Sequence, residues 1–250
     1  MWDNTILIRN IANTLMVSSA LAMLFGAVYY VAHLPGLLPL KSVRLNAAPQ
    51  RVSTTELLQV MRSELRGNLI TVDIERLRRS LEKLPWVRSA SVRREFPYRL
   101  AVQLEEHQAL ARWNNSSLVN QKGEIFVASS EQVLPGFIGQ EEASAEIAQQ
   151  YINFNQQLVA LGLMVTQVAV SPRHAWQLRL SNGMVLELGR EDMQQRFARF
   201  VAMYPYTKDG RQNITGSDTA KYVDLRYRNG FAVRQMLKGS ERKIDQWALS

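Results

Sequence analysis

The longest stretch without a charged residue lies near the amino terminus. No Asp, Glu, Lys or Arg occurs between Arg9 and Lys41, and residues 11–34 are mostly apolar. A helix rises about 1.5 Å per residue, so roughly 20 apolar residues cross the hydrocarbon core of a bilayer. This run predicts one transmembrane helix at residues 11–34, preceded by a short segment, residues 1–10.

A cleaved signal peptide is the alternative interpretation of this run. Its apolar region would span about 7–15 residues, with a small-x-small cleavage site directly after it. Ala20 and Ala22 have suitable side chains but lie in the middle of the run, which favours an anchor. The orientation of this helix stays open. Lys41 and Arg44 follow the run and only Arg9 precedes it, so the positive-inside rule would keep the large carboxyl-terminal part in the cytoplasm. Large domains nevertheless translocate despite such charges.

The pattern after the anchor predicts a small domain of β-α-α-β-β order at residues 41–112. A short strand at residues 42–46 precedes a helix with the capping-box pair Ser53 and Glu56. A second helix is capped by Asp73 and stopped by Pro85. Two strands with period-two alternation then flank the turn "EFPYR".

A β-rich domain with flanking helices is predicted at residues 113–235, followed by a tail at residues 236–250. The stretch "SLVNQKGEIF" has strand-turn-strand character, residues 143–163 have helical periodicity, and two or three strands with an Asn182-Gly183 turn follow. The stretch "EDMQQRFARFVAMYP" predicts a helix with acidic residues in its first turn. The fold class is therefore α+β.

The stretch "YVDLRYRNGFAV", residues 222–233, predicts a β-hairpin with a tight type I′ turn at Asn229-Gly230. The arm after the turn leads into a polar tail that offers no further strand, so it would lie at a sheet edge. An edge strand can receive a partner segment by strand addition, with Phe231 as an apolar anchor. The alternative is that the hairpin closes the domain and Phe231 belongs to its core.

Composition and charge add two limits. The net charge of +8, with a pI near 9.9, favours acidic partners: nucleic acid, anionic lipid or acidic protein surfaces. The chain contains no cysteine, which excludes disulfides, thiolate metal sites and thiol chemistry.

No arrangement of residues predicts catalysis, a metal site or a cofactor site. His33, His107 and His174 have no metal-ligand spacing, and His107 is expected on the surface of a strand. Glu105 and Glu106 are adjacent on a strand and would point to opposite faces. Neither a Gly-rich phosphate loop nor a nucleophile elbow occurs, so an enzyme is not expected.

A cluster of arginines in the first domain allows three interpretations: a solvated or lipid-facing surface, a protein docking face, or a nucleic-acid site. The cluster carries no aromatic stacking platform and no helix-turn-helix pattern, which disfavours nucleic acid. Its members are Arg76, Arg78, Arg79, Arg88, Arg93, Arg94 and Arg99.

Several motifs in order resemble the FtsQ/DivIB family of bacterial cell division proteins. The segment "LEKLPWVRSASVRREFPYRLAVQLEEHQALARW", residues 81–113, is similar to the one that closes the family's POTRA domain. The stretches "SLVNQKGEIF", "EDMQQRFARFVAMYP" and "KYVDLRYRNGFAV" are similar to later parts of the family. The POTRA pattern alone also occurs in secretion and outer-membrane assembly proteins, so a membrane-tethered POTRA module for secretion or envelope assembly is the alternative.

The resemblance implies a non-catalytic scaffold of the division machinery in the bacterial inner membrane at the septum. It would be a single-pass protein with residues 1–10 in the cytoplasm and both later domains in the periplasm. Its POTRA domain would mediate recruitment and its β domain would hold FtsB and FtsL, linking early and late division proteins without cofactor, nucleic acid or small-molecule substrate. The FtsB-binding residues implied are Arg173, Tyr222, Arg226, Tyr227, Asn229, Gly230 and Phe231.

Overall fold

The computed structural model divides the chain into two compact units, residues 1–106 and residues 107–250. It describes residues 5–32, 39–206, 221–227 and 230–235. The predicted tail, residues 236–250, lies outside these ranges.

The N-terminal helix α1 spans Thr5–Ala32. Its segment Ile8–Val31 covers 24 residues with a mean hydropathy of 1.8, so it is long and apolar enough to cross a membrane. The hydroxyls of Thr14, Ser18 and Ser19 donate to backbone carbonyls within the helix, which satisfies polar groups that lipid could not. The helix begins upstream of the predicted residue 11, and the predicted end at residue 34 lies outside the described residues.

The first unit contains the predicted β-α-α-β-β domain after the N-terminal helix. Its three-stranded sheet has the order β1-β3-β2, in which β1 runs parallel to β3 and β2 runs antiparallel to it. Two helices cover one face, where Leu57, Leu77, Leu81 and Leu100 are almost fully buried. The elements are β1 Ser42–Leu45, α2 Thr54–Glu64, α3 Ile74–Leu81, β2 Val87–Glu95 and β3 Arg99–Glu106.

Both predicted helix caps are present. The Ser53 hydroxyl accepts the Glu56 N–H at 3.5 Å, and Asp73 Oδ1 accepts the Arg76 N–H at 2.9 Å. Each oxygen satisfies one of the amides that a helix start leaves without a partner. The sequence therefore placed the starts of α2 and α3 correctly.

Glu105 and Glu106 point to opposite sides of β3, as predicted, and each has a structural role. Glu105 binds Arg88 Nη1 at 2.6 Å. The Glu106 carboxylate accepts the backbone N–H groups of residues 50–52 and so holds the loop before α2. Partial burial raises the pKa of Glu106, but these amides and the Arg51 guanidinium outweigh it, and the net pKa is lowered.

The arginine cluster of the first unit divides into structural and exposed members. Arg94 crosses to the loop before α3, donating from Nε to the Leu69 carbonyl at 2.7 Å and from Nη2 to the Val72 carbonyl at 2.9 Å. Arg78 lies between Glu75 and Glu82, and its hydrogen bond lowers the pKa of Glu75 to about 2. Exposed guanidinium groups remain on Arg76, Arg79 and Arg93.

Within its described residues, the second unit is built on a nine-stranded sheet of order β12-β11-β10-β9-β8-β7-β4-β5-β6, covered on one face by helices α4 and α5. Its core includes Phe137, Phe154, Phe197 and Phe200, all almost fully buried. The elements are β4 Ala109–Trp113, β5 Ser117–Asn120, β6 Ile125–Phe126, β7 Gly136–Ile138, α4 Ser144–Leu158, β8 Val165–Val170, β9 Trp176–Leu180, β10 Val185–Gly189, α5 Met193–Met203, β11 Lys221–Asp224 and β12 Ala232–Gln235.

The boundary between the units falls after Glu106 and not after residue 112. Strand β4 pairs with β5 and β7 and thus belongs to the second sheet, although its sequence continues the alternation of β3. His107 also differs from its prediction as a surface residue. It is 9% exposed and stacks on Phe126 with ring centroids 4.1 Å apart.

The predicted acidic first turn of α5 is wrong. The helix begins at Met193, so Glu191 and Asp192 precede it, and Asp192 has a φ of 48° and makes no side-chain cap bond. Asp192 has a left-handed backbone conformation, so the helix begins only at the next residue. Asp adopts this conformation more readily than most residues.

Candidate functional site

Strand β12 is the last strand at one end of the described sheet. Its only neighbour there is β11, which pairs with it antiparallel from Lys221↔Gln235 to Asp224↔Ala232. On its other side β11 runs parallel to β10, with Tyr222 opposite Val185. The predicted edge strand is therefore present, and among the described strands its outer side has no partner.

The predicted two-residue turn of the hairpin is wrong. The last pair is Asp224 with Ala232, so seven residues, 225–231, separate the strands. Asp224 Oδ1 accepts the Arg226 N–H at 3.0 Å, so an Asx turn follows directly after the last pair of the ladder. Asn229, the first residue of the predicted turn, lies outside the described residues.

Arg226 and Tyr222 belong to two hydrogen-bonded groups near the buried carboxylate of Glu187. Arg226 donates to both Asp224 oxygens, from Nε to Oδ1 at 2.9 Å and from Nη2 to Oδ2 at 2.7 Å. The Tyr222 hydroxyl donates to Glu187 Oε2 at 3.2 Å, and Gln177 Nε2 donates to the same oxygen at 3.0 Å. Glu187 itself is only 4% exposed.

Burial and these contacts shift the pKa values of the groups at the edge. Burial raises the pKa of Glu187 above its ordinary value, while hydrogen bonds from Gln177 and Tyr222 and the charge of Arg226 oppose that rise. Burial and the nearby carboxylates also raise the pKa of Tyr222, so its hydroxyl stays a donor. The bidentate bond to Arg226 lowers the pKa of Asp224.

Arg173 lies in the same cleft as Tyr222 and Arg226. It is exposed in the turn between β8 and β9, where the Ser171 N–H donates to the Ala175 carbonyl at 3.0 Å. The open cleft has a volume of about 740 Å³ and is lined by more cationic than anionic groups. Its charged side chains are Arg173, Arg190, Arg196, Arg226, Glu187 and Glu191.

Tyr227 and Phe231 differ in exposure. Tyr227 is 58% exposed, and its carbonyl accepts Arg199 Nη1 at 3.1 Å. Phe231 is half-buried, packs against the domain core and meets the Phe200 ring edge-to-face at a centroid distance of 6.3 Å. Phe231 thus contributes to closing the domain, as the second sequence interpretation holds, and only Tyr227 is freely presented.

Val233 is a surface residue that the sequence interpretation missed. It lies on β12 opposite Val223, yet it is 55% exposed while Val223 is 1% exposed. Strand periodicity could have indicated it, because Val233 is two residues beyond the packed Phe231 and so shares its face.

Two regions of the chain match known protein families. Residues 111–226 match the family described as "Cell division protein FtsQ/DivIB, C-terminal", and residues 38–107 match the FtsQ-type POTRA domain. The chain belongs to the FtsQ/DivIB family. It is therefore a cell division protein with an FtsQ-type POTRA domain, and the first unit is that domain preceded by helix α1.

Individual relatives agree over most of the chain. A cell division protein FtsQ from Nitrosospira multiformis is 41% identical over 239 residues, which cover 94% of this chain and 99% of the relative. FtsQ from Burkholderia pseudomallei is 35% identical, covering 94% of each chain. FtsQ from Escherichia coli is 37% identical over 172 residues, covering 67% of this chain and 62% of the relative.

Proposed function

We propose that this protein is a non-catalytic, membrane-anchored scaffold of the division machinery that holds an FtsB–FtsL pair through the β12 edge of its second unit. The pair's extended segment adds as a tenth strand beside β12 through main-chain hydrogen bonds. The POTRA domain recruits other division proteins, so the chain links early and late components at the septum.

The observation that carries this proposal is the open outer side of β12 beside an exposed apolar side chain. An exposed edge strand is an aggregation hazard that proteins usually cover or charge. Here Val233 is 55% exposed and no strand among the described ones covers the edge. An added strand would pair its backbone with β12 and cover Val233.

The charged cleft favours an acidic partner segment. Four arginines and two glutamates line it, and Asp224 already engages two donors of Arg226. Arg173 is an exposed residue of the same cleft and would bind a carboxylate of the partner, a charge-assisted bond that fixes register.

The anchor supports the same role. Helix α1 is long and apolar enough to span a bilayer, and in the proposed topology residues 1–10 lie in the cytoplasm and both later units in the periplasm. Reporter fusions at the carboxyl terminus test this topology. A periplasmic phosphatase fused there is active if the topology holds, and a fluorescent protein that matures only in the cytoplasm is bright if it is reversed.

Binding of the full chain to its partner tests the edge directly. The chain is reconstituted in lipid nanodiscs and titrated with the co-expressed FtsB–FtsL extracytoplasmic segments of the same organism. Val233→Lys is expected to weaken binding by roughly tenfold or more, since it places a charge at a site that the partner desolvates.

Val127→Lys is the matched control. Val127 is 76% exposed directly after β6, at the other end of the sheet, and the same substitution there should leave affinity unchanged. Circular dichroism confirms that both variants are folded. Equal affinities of wild type and folded Val233→Lys would contradict the docking edge, and absence of any binding by the wild type would favour a secretion or envelope-assembly role.

A further inference from the structure

The turn between β2 and β3 exposes aromatic side chains at one end of the POTRA sheet. Phe96 is 67% exposed and Tyr98 is 37% exposed. Neither belongs to the buried core of the domain, where Leu100 and Val102 of the following strand are almost fully buried. Rings exposed at a turn contribute little to folding, and they are available for contact with a partner or a membrane.

The same turn lies next to the point where the chain arrives from helix α1. The Lys41 N–H donates to the Tyr98 carbonyl at 3.0 Å, and Ser42 is the register partner of Arg99. Only residues 33–40 connect Ala32, the end of α1, to Lys41. At about 3.3–3.6 Å per extended residue, the turn stays within roughly 30 Å of the end of the membrane helix.

Basic groups surround the aromatic tip. Lys41 Nζ lies 4.4 Å from the centre of the Tyr98 ring, and Arg99 is exposed beside it. Glu95 is the carboxylate at the end of β2, and it lies 3.5 Å from Arg93. The local balance is positive, which complements an anionic lipid surface.

We propose that this turn docks onto the anionic surface of the membrane that α1 spans, with Phe96 in the headgroup layer and Lys41 and Arg99 against lipid phosphates. Aromatic rings prefer that layer, and one apolar side chain flanked by basic residues is a weak, reversible membrane contact. A weak contact is enough to dock the turn, because α1 tethers the domain and so keeps the turn at a high effective concentration near the surface.

The consequence is a second attachment point for the POTRA domain. A docked turn adds a contact with the membrane beyond the covalent connection to α1, and so restricts the orientation of the domain there. The inference rests on the proposed membrane anchoring by α1, so its test includes a separate reporter for the helix.

Depth-dependent fluorescence quenching of the full chain is the test. The chain has no native cysteine, so single cysteines can carry a bimane label: Phe96→Cys for the turn, Ser91→Cys further along β2, and Leu21→Cys within α1. Each labelled chain is reconstituted in phosphatidylcholine vesicles with or without about 30% phosphatidylglycerol, containing a lipid spin label near the headgroup or deep in the acyl chains.

The Phe96 label should be quenched several-fold more strongly than the Ser91 label by the shallow spin label, and only in vesicles with phosphatidylglycerol. Lys41→Gln with Arg99→Gln should reduce that quenching. Arg62→Gln with Arg66→Gln, which removes the same charge from exposed sites on and just beyond α2, should not.

Two kinds of outcome overturn the inference, and a third tests the anchor on which it rests. Equal quenching of the Phe96 and Ser91 labels would mean that the turn is not the contact. If quenching does not depend on phosphatidylglycerol, or does not fall when Lys41 and Arg99 are changed, the turn does not bind an anionic lipid surface. Loss of deep quenching at Leu21 would instead show that the anchor itself has failed, which separates the two proposals.

Discussion

Val223 and Val233 face each other across β11 and β12, but Val223 is 1% exposed and Val233 is 55% exposed. Direct cross-strand partners point to the same side of a sheet. The core-facing side therefore continues onto β12, but the elements that cover Val223 do not reach Val233. One further strand with its own apolar side chain would complete this layer.

Phe231 is predicted to act through packing within the domain. Phe231→Ala should lower the free energy of unfolding by about 1–2 kcal/mol, because a half-buried ring against Phe200 is lost. Thermal and urea unfolding measure this effect. Val233→Ala is the control and should change stability little; a folded Phe231→Ala variant of unaltered stability that nevertheless loses the partner would instead make Phe231 an anchor.

Arg94 is predicted to stabilise the POTRA domain. Arg94→Met keeps much of the apolar stem but leaves the carbonyls of Leu69 and Val72 without their donor, so stability should fall by about 2 kcal/mol. Arg93→Met on the same strand removes an exposed charge and should have almost no effect. If both variants have the same melting temperature, the hydrogen bonds of Arg94 do not stabilise the domain.

Glu187 is predicted to cost stability as pH rises. Its folded pKa is raised above the ordinary value of 4.5, so the stability present below that value is lost as pH rises through the folded pKa. Glu187→Gln retains an oxygen for Gln177 and Tyr222 but cannot ionise. Its stability relative to wild type should therefore increase from pH 4 towards pH 8.

Chemical denaturation over that pH range checks the prediction for Glu187. Glu191→Gln, an exposed carboxylate in the same cleft, serves as the control. If the stability difference between wild type and Glu187→Gln does not change with pH, Glu187 has the same pKa in the folded and the unfolded chain.

Arg173 is predicted to contribute electrostatically to partner binding. Arg173→Gln should weaken the FtsB–FtsL complex about tenfold at low salt and flatten its salt dependence, since a charge-assisted contact to an acidic segment is lost. Lys122→Gln removes the same charge from an exposed turn near the other sheet edge and should do neither. If the affinities of wild type and Arg173→Gln depend equally on salt concentration, Arg173 does not contact the partner.

The sequence predicted local features well because their determinants are local. Ser53 and Asp73 cap helices through residues three positions away, and the apolar run of α1 needs no other part of the chain. The order of elements in the POTRA domain followed from periodicity in the same way, whereas β4 and β7 of the second unit were not predicted as separate strands.

The failures of prediction arise from contacts distant in sequence or from backbone choices. Arg94 appeared as one of a surface cluster, yet it reaches a loop more than 20 residues away. The hairpin ladder ends at Asp224, where an Asx turn follows, and β4 joins the second sheet although it follows β3 directly. Placing Arg173 in the cleft with Tyr222 likewise required the assembled sheet.

Hydrogen exchange of the full chain in nanodiscs, with and without FtsB–FtsL, tests the central claim most directly. Strand addition predicts that amides of β12, residues 232–235, become protected on binding, because some of them gain main-chain partners. Amides of β6, residues 125–126 at the other end of the described sheet, should not change. A bound complex in which β12 exchanges as fast as in the free chain would contradict the proposed docking edge.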